Sequence, residues 1–233
     1  LNTNGNSIGV TFNSGSGITA GSYDVLGVAT STQTSSYGVG IFGTVKFTSV
    51  ADSIINGTSL AQSTAFTYGT TIGDGANVSF DAGSSGGKLV VKGSNAAWET
   101  GLRISGNWTP STSVTTDGNV TLGALEDKSQ LSFRAGTITA NSGSLTLLGQ
   151  MTGAGTAVSA YDATSITANN GASITIEGKV TGTNTGTAVG LGQNTAVTIQ
   201  ALQGTAASAG DIKITGTATN GTGVYVKNAS NTT

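Results

Sequence analysis

Cysteine and histidine are both absent from this chain of 233 residues, and proline occurs once, at Pro110. Without them the commonest general base, the usual nucleophile–base pairs and most metal-ligand sets drop out. No cofactor, no metal and no enzymatic activity are expected. The lack of cysteine removes the disulfides that staple small secreted domains, so stability has to come from burial, as it does in a long solenoid core. It also suits a bacterial chain that crosses a periplasm unfolded. Charged residues make up only 9% and the formal net charge is −2. With no basic stripe and no polybasic run, neither nucleic acid nor an anionic membrane surface is an expected partner. The apolar runs are a few residues long, too short to cross a bilayer as a helix, and no membrane insertion is expected.

What is present is glycine (37 residues), Ser, Thr and Asn, with 36% hydrophobic residues in an alternating pattern that is not a disordered composition. Residues 138–143 read ITANSG and residues 166–171 read ITANNG, a repeat of 28 residues. Leu145-Thr146-Leu147, Ile174-Thr175-Ile176 and Ile212-Lys213-Ile214 begin three successive units, 29 and then 38 residues apart. The longer step places an insertion at Ala201 to Ser208. A turn is expected after each start, at Gly149, Gly178 and Gly216. A second run follows at Thr156-Ala157-Val158, Thr187-Ala188-Val189 and Thr222-Gly223-Val224. A third is Thr164-Ser165-Ile166, with Thr195-Ala196-Val197 as its counterpart. Apolar residues alternate with Thr, Ser, Lys or Glu at period two, and no helical period is sustained. Self-similarity at this spacing marks a stacked solenoid.

The fold class expected is therefore all-β: a right-handed parallel β-helix with three short strands of three to five residues per rung. The hand follows the general preference of parallel crossovers. Rungs of 25–29 residues would give about eight or nine, on the order of 40 Å at the inter-strand rise of about 4.8 Å. The residues assigned inward are Leu145, Leu147, Ile166, Ile174, Ile176, Val189, Val197, Ile212 and Val224. Residues 115–233 read as the regular part and residues 1–114 as looser rungs of the same solenoid, with aromatic-rich loops or a hairpin. Strand-like runs there are Val78-Ser79-Phe80, Leu89-Val90-Val91, Leu102-Arg103-Ile104 and Val120-Thr121-Leu122. Ten of the 13 aromatic residues precede residue 109. One reading is that they fill wider rungs. The other is a surface that recognises sugar or protein, with Trp98, Trp108, Tyr37 and Phe42 as the ligand-binding candidates.

The 11 carboxylates are scattered, and only Glu126-Asp127 are neighbours, in a turn before Lys128. Glycoside cleavage needs two carboxylates at a set separation. No calcium-binding nonapeptide or phosphate loop is present. Thr-x-Thr segments, which in flat ranks order water, occur at Thr137-Ile138-Thr139, Thr183-Asn184-Thr185 and Thr215-Gly216-Thr217, but at different places in the unit. Seven glycosylation sequons stand at Asn56, Asn77, Asn107, Asn119, Asn220, Asn228 and Asn231; 17 Asn among 67 Ser and Thr give about five by chance, so glycosylation is sterically open rather than indicated.

The units GSLTLLGQMTG, GASITIEGKVTG and GDIKITGTATNGTGVYV, with the interspersed ITAN[SN]G, resemble the repeats of Gram-negative two-partner secretion exoproteins, the filamentous haemagglutinin-like and high-molecular-weight adhesin-like proteins. The resemblance covers roughly residues 115–233 and the first half only in style. It implies a right-handed parallel β-helix, an outer-membrane secretion partner for the parent chain, a cell-surface or secreted location, and adhesion to a glycan or protein receptor on host or bacterial cells. In the high-molecular-weight branch it also implies glycosylation at such sequons. It carries no catalytic residues over. The chain is accordingly read as a segment of a longer adhesin, the alternatives being a spacer, the receptor-binding stick of a contact-dependent inhibition toxin, and a polysaccharide-degrading β-helix enzyme. Ile176→Asp places a charge where an inward side chain is expected, and should cost about 4 kcal/mol and lower the melting temperature sharply. Unchanged thermal melting would show that Ile176 faces solvent.

Overall fold

The structure is a computed structural model and describes residues 6–30, 35–61, 66–96, 100–104 and 112–227. Trp98, Trp108, Asn107, Asn228 and Asn231 lie outside the described residues. Every described ladder is parallel, and the chain visits three sheets in strict rotation. The first coil consists of β1 (Asn6–Phe12), β2 (Gly17–Ala20) and β3 (Asp24–Ala29). The second is β4 (Ser35–Ile41), β5 (Thr44–Ser49) and β6 (Ser53–Ser59), and the third β7 (Thr67–Ile72), β8 (Asn77–Asp81) and β9 (Lys88–Asn95). Next come β10 (Thr100–Ile104), β11 (Ser113–Asp117) and β12 (Asn119–Gly123), then β13 (Gln130–Phe133), β14 (Gly136–Ala140) and β15 (Ser144–Met151). The sixth coil holds β16 (Thr156–Ala160), β17 (Thr164–Ala168) and β18 (Ser173–Val180). The last holds β19 (Gly186–Leu191), β20 (Val197–Ala201) and β21 (Ile212–Ala218), and β22 (Gly221–Val226) begins one more. Sheet I runs β1 to β22, sheet II β2 to β20 and sheet III β3 to β21, with eight, seven and seven strands among the described residues. The molecule is a three-sheet parallel β-helix.

Two expectations about its dimensions change. Among the described residues there are seven coils and the first strand of another, rather than eight or nine, because steps such as Ile174 to Ile212 spend residues on corners and loops; seven rises of about 4.8 Å make the described stack about 34 Å long. Strands reach eight residues rather than three to five, as in β9, β15 and β18. The reason lies in the glycines placed in turns by the sequence pattern. Gly149, Gly178 and Gly216 are strand-interior residues, paired in register one above another. Upstream, Gly27, Gly57 and Gly93 form the same rank. Facing this rank across the coil, sheet I carries Gly38, Gly69, Gly101, Ala157, Ala188 and Gly223. A Cβ on Gly27 would stand 2.0 Å from the Gly38 carbonyl oxygen, and one on Gly57 2.0 Å from that of Gly69. One on Gly178 would stand 1.9 Å from the Ala188 carbonyl oxygen. Sheets I and III thus touch backbone to backbone along a seam that admits no side chain. β12 leaves the seam early: at Gly123 (φ +92°) the chain turns out through Ala124–Ser129, carrying Glu126 and Asp127 as expected into a turn.

Beyond the seam the coil opens and the core begins. In sheet III the ranks Leu89–Val120–Leu145–Ile174 and Ile55–Val91–Leu122–Leu147–Ile176 stack in register and are buried. Sheet I supplies Val39, Leu102, Leu131, Val158 and Val189 in one rank. In sheet II one rank descends from Phe47 and Phe80 through Thr116 to Ala140, Ala168 and Ala201. The two Phe rings are fully buried and stacked, with centroids 5.4 Å apart. For these two aromatics, filling the interior is the whole explanation. Ile166 pairs with Ile199, not with Val197, so the third run of the last unit sits two residues later than its sequence counterpart.

The inward assignment holds for Leu145, Leu147, Ile166, Ile174, Ile176 and Val189, all at most 2% exposed. Val197 is half-buried, and Ile212 and Val224 are each 42% exposed, because each lies on the terminal described strand of its sheet, with no described strand beyond it. The seam makes a sharp prediction. Gly178→Ala should destabilise by about 3 kcal/mol, an overpacking cost, whereas Gly21→Ala, whose Cβ would meet nothing within 4 Å, should change stability by under about 1 kcal/mol. Equal denaturation midpoints for the two variants would show that the sheets are not in contact.

Candidate functional site

At the seam the period-two alternation of sheet I breaks. Gly38 faces sheet III and the next residue, Val39, also fills the interior, which leaves Tyr37 before them on the outside. Tyr68, its register partner one coil on, is placed in the same way. Their rings stack nearly parallel, 5.8 Å apart with 3° between planes. The Arg103 guanidinium continues the stack, 4.7 Å from the Tyr68 ring centre, and an Arg103 Nη1–H donates to the Tyr68 hydroxyl. Such cation–π contacts are worth roughly 0.5–2 kcal/mol according to their exposure. Phe42, just past the end of β4, has its ring 6.3 Å from that of Tyr37. It lies against the backbone of two glycines: a Cβ on Gly40 would come within 2.5 Å of the ring and one on Gly73 within 2.4 Å.

Together with Phe66, Thr71, Gly73 and Asp74 these groups line a cleft of about 170 Å³. Phe66 is 63% exposed and holds φ +53°, a backbone region that bulky side chains avoid. One corner further along, Arg134 sits 5.5 Å from the Tyr161 ring centre. Both arginines of the chain and three of its five tyrosines therefore share one outer face of the rod. Further along the face the polar contacts are amide and hydroxyl ones: Thr100 Oγ1–H donates to Gln130 Oε1 (2.7 Å), and the amide nitrogens of Gln130 and Gln193 donate to Thr156 O and Oγ1 (2.5 and 3.1 Å).

Burial pushes the Tyr68 phenol above the ordinary tyrosine range, and the positive charge of Arg103 only partly offsets this. The same burial depresses Arg103, with Tyr68 working the other way.

Of the sequence candidates, the structure brings Tyr37 and Phe42 into one cleft, while Trp98 and Trp108 are outside the described residues. Sequence reasoning missed Phe66, Tyr68, Asp74, Arg103, Arg134 and Tyr161. The available signal was compositional: a chain almost without arginine spends both near its aromatic half. Among the sequons, Asn77 is exposed at the start of β8, and Asn56 is half-buried within β6. Asn119 Oδ1 accepts from Ser144 Oγ–H (2.9 Å), and Asn220 Nδ2–H donates to the Thr183 carbonyl (3.0 Å). The three Thr-x-Thr segments do fall in different places, yet Thr137-Ile138-Thr139 pairs in register with Ser113-Val114-Thr115 and Ser165-Ile166-Thr167, giving a double rank of hydroxyls on the outer face of sheet II. Asp81 and Asp117, 36 residues apart, are register neighbours; Asp81 accepts from the Gly83 N–H (2.9 Å) and Asp117 from Ser142 Oγ–H (3.5 Å), so each serves its own turn.

Comparison with protein-family models, curated proteins and solved structures found no match for the chain.

The raised Tyr68 phenol sets a sign. Its neutral form is favoured in the folded state, so its contribution is complete below about pH 10, the ordinary phenol value, and is lost as pH rises through the raised folded value. Tyr68→Phe should lower the melting temperature at pH 7 by a few degrees, through the lost Arg103 contact, and flatten the alkaline limb of the melting curve against pH. An alkaline limb as steep as that of the unmodified chain would contradict the assignment.

Proposed function

We propose that this chain is a structural and adhesive segment of a large secreted bacterial surface protein, a rod that carries one recognition face. The parallel β-helix is compatible with that role. The observation that carries the proposal is the concentration of Arg103, Arg134, Tyr37, Tyr68 and Tyr161 on one outer face of a rod whose sequence is rich in Ser, Thr, Asn and Gly. Arginine and tyrosine dominate the binding energy of interfaces, because each combines a large contact area with directed hydrogen bonding. A rigid scaffold supplies the second requirement, since side chains held by neighbouring coils lose little freedom on binding.

The repeat resemblance supports the wider reading: a two-partner secretion exoprotein, exported with an outer-membrane partner to the surface of a Gram-negative bacterium, meeting a receptor on a host or bacterial cell. The mechanism is presentational. Stacked coils fix the distance from the cell, and the exposed face of sheet I makes the contact.

Beads coated with the 233-residue chain should retain cultured epithelial cells, and the double variant Tyr68→Ala/Arg103→Ala should retain at least about five-fold fewer at equal coating density. Absence of adherence by the unmodified chain would favour a spacer whose binding partner sites lie elsewhere.

A further inference from the structure

We infer that the cleft over Phe42 is a binding site for a single pyranose ring of an uncharged saccharide. The inference deepens and rests on the adhesive reading of the same face, naming the ligand class.

The cleft combines three features that a sugar needs together. Its floor is a ring laid flat: Gly40 and Gly73, on neighbouring coils, let Phe42 lie against the backbone where any side chain would displace it. A pyranose presents an apolar face of C–H groups that packs on such a ring, the same area-driven contact that makes aromatics strong anchors. Both faces of Tyr68 are taken up, by Tyr37 and by Arg103; of the other aromatics lining the cleft, Phe42 is the platform and Phe66 the second aromatic wall, with Tyr37 beside Phe42. Phe66 is 63% exposed in a strained left-handed backbone position. A large apolar ring held out in water at conformational cost is a feature that a ligand explains.

The rim supplies polar groups of both kinds: the Asp74 carboxylate accepts hydrogen bonds, the Arg103 guanidinium donates them and the Thr71 hydroxyl does either. Adjacent hydroxyls on a sugar, each donor and acceptor, match that set. Within the cleft lining the carboxylate of Asp74 sits with the guanidinium of Arg103, and Arg134, on the same face, lies outside that lining; Asp74 would repel a uronic or sialic acid or a phosphate entering the cleft, so the site favours a neutral ring. The volume of about 170 Å³ suits one ring rather than a chain of them, with the flanking residues of an oligosaccharide lying along the face.

The test uses the full 233-residue chain against immobilised hexasaccharides of glucose, galactose, mannose and N-acetylglucosamine, with a sialylated oligosaccharide and heparin as charged comparisons. At least one neutral sugar should bind and should show saturation transfer from protein aromatic protons to its ring protons. Phe66→Ala, at a solvent-exposed position, should weaken binding at least ten-fold with unchanged melting temperature, and Asp74→Asn should weaken it at least ten-fold in protein whose circular dichroism shows it folded. Phe42→Ala should abolish it. Binding only to the charged comparisons, no binding to any neutral sugar, or undiminished binding by Phe66→Ala and Asp74→Asn would each overturn the inference. Cell retention that depends on Tyr68 and Arg103 without any sugar binding would overturn this ligand class and leave the adhesive reading standing. Sugar binding without cell retention would do the reverse.

Discussion

The contact between the backbones of sheets I and III, with no side chain between them, is the constraint on which the rest of this structure depends. In an open three-sided coil each strand would face the interior with alternate side chains, and the width of the rod would follow their size. Here the two sheets close on each other along a rank of Gly27, Gly57, Gly93, Gly149, Gly178 and Gly216. That approach flattens one part of each coil that carries the rank and divides the interior into a large core on one side and a small cluster of Met151, Ala157, Val180 and Ala188 on the other. It also explains why glycine is tolerated inside strands, where it normally weakens pairing: the entropy it costs is offset by a contact no larger residue could make.

Three consequences follow along the chain. The main core lies in the open lobe, where ranks from all three sheets meet, and its sheet II rank thins from Phe47 and Phe80 to Ala140 and Ala168 while Phe133 takes up space from sheet I. The strands of sheet III lengthen, because they run through the seam instead of stopping before it. Sheet I slips by one residue in its alternation at the seam, and that slip turns Tyr37 and Tyr68 out to stack with Arg103. The same constraint that organises the interior thus positions the recognition face.

Much of this was legible in the sequence because coil stacking is a one-dimensional problem. Ile174 over Leu145 and Ile212 over Ile174 follow directly from the spacing of the units, and period two gives the inward residues of the middle coils. What period two does not encode is a contact between sheets. Gly149, Gly178 and Gly216 look like turn residues because glycine is usually a turn residue; only the facing Ala157, Ala188 and Gly223 reveal the seam. The cleft was half legible for the same reason. Tyr37 and Phe42 stood out as aromatics, but Tyr68 joins them through its register with Tyr37 and an outward phase set by the seam, and Arg103, paired with Thr71, through the reach of its side chain to the Tyr68 ring. Burial of Phe47 and Phe80 shows that the aromatic-rich half is neither wholly core nor wholly surface.

The most direct test of the seam is hydrogen exchange of backbone amides in the native state. If the contact organises the rod, the slowest amides will be those of β15, β16, β18 and β19, on both sides of the seam in coils covered above and below, and sheet II amides of the same coils will open at lower free energy. Slowest exchange in sheet II, with seam residues opening first, would contradict the account.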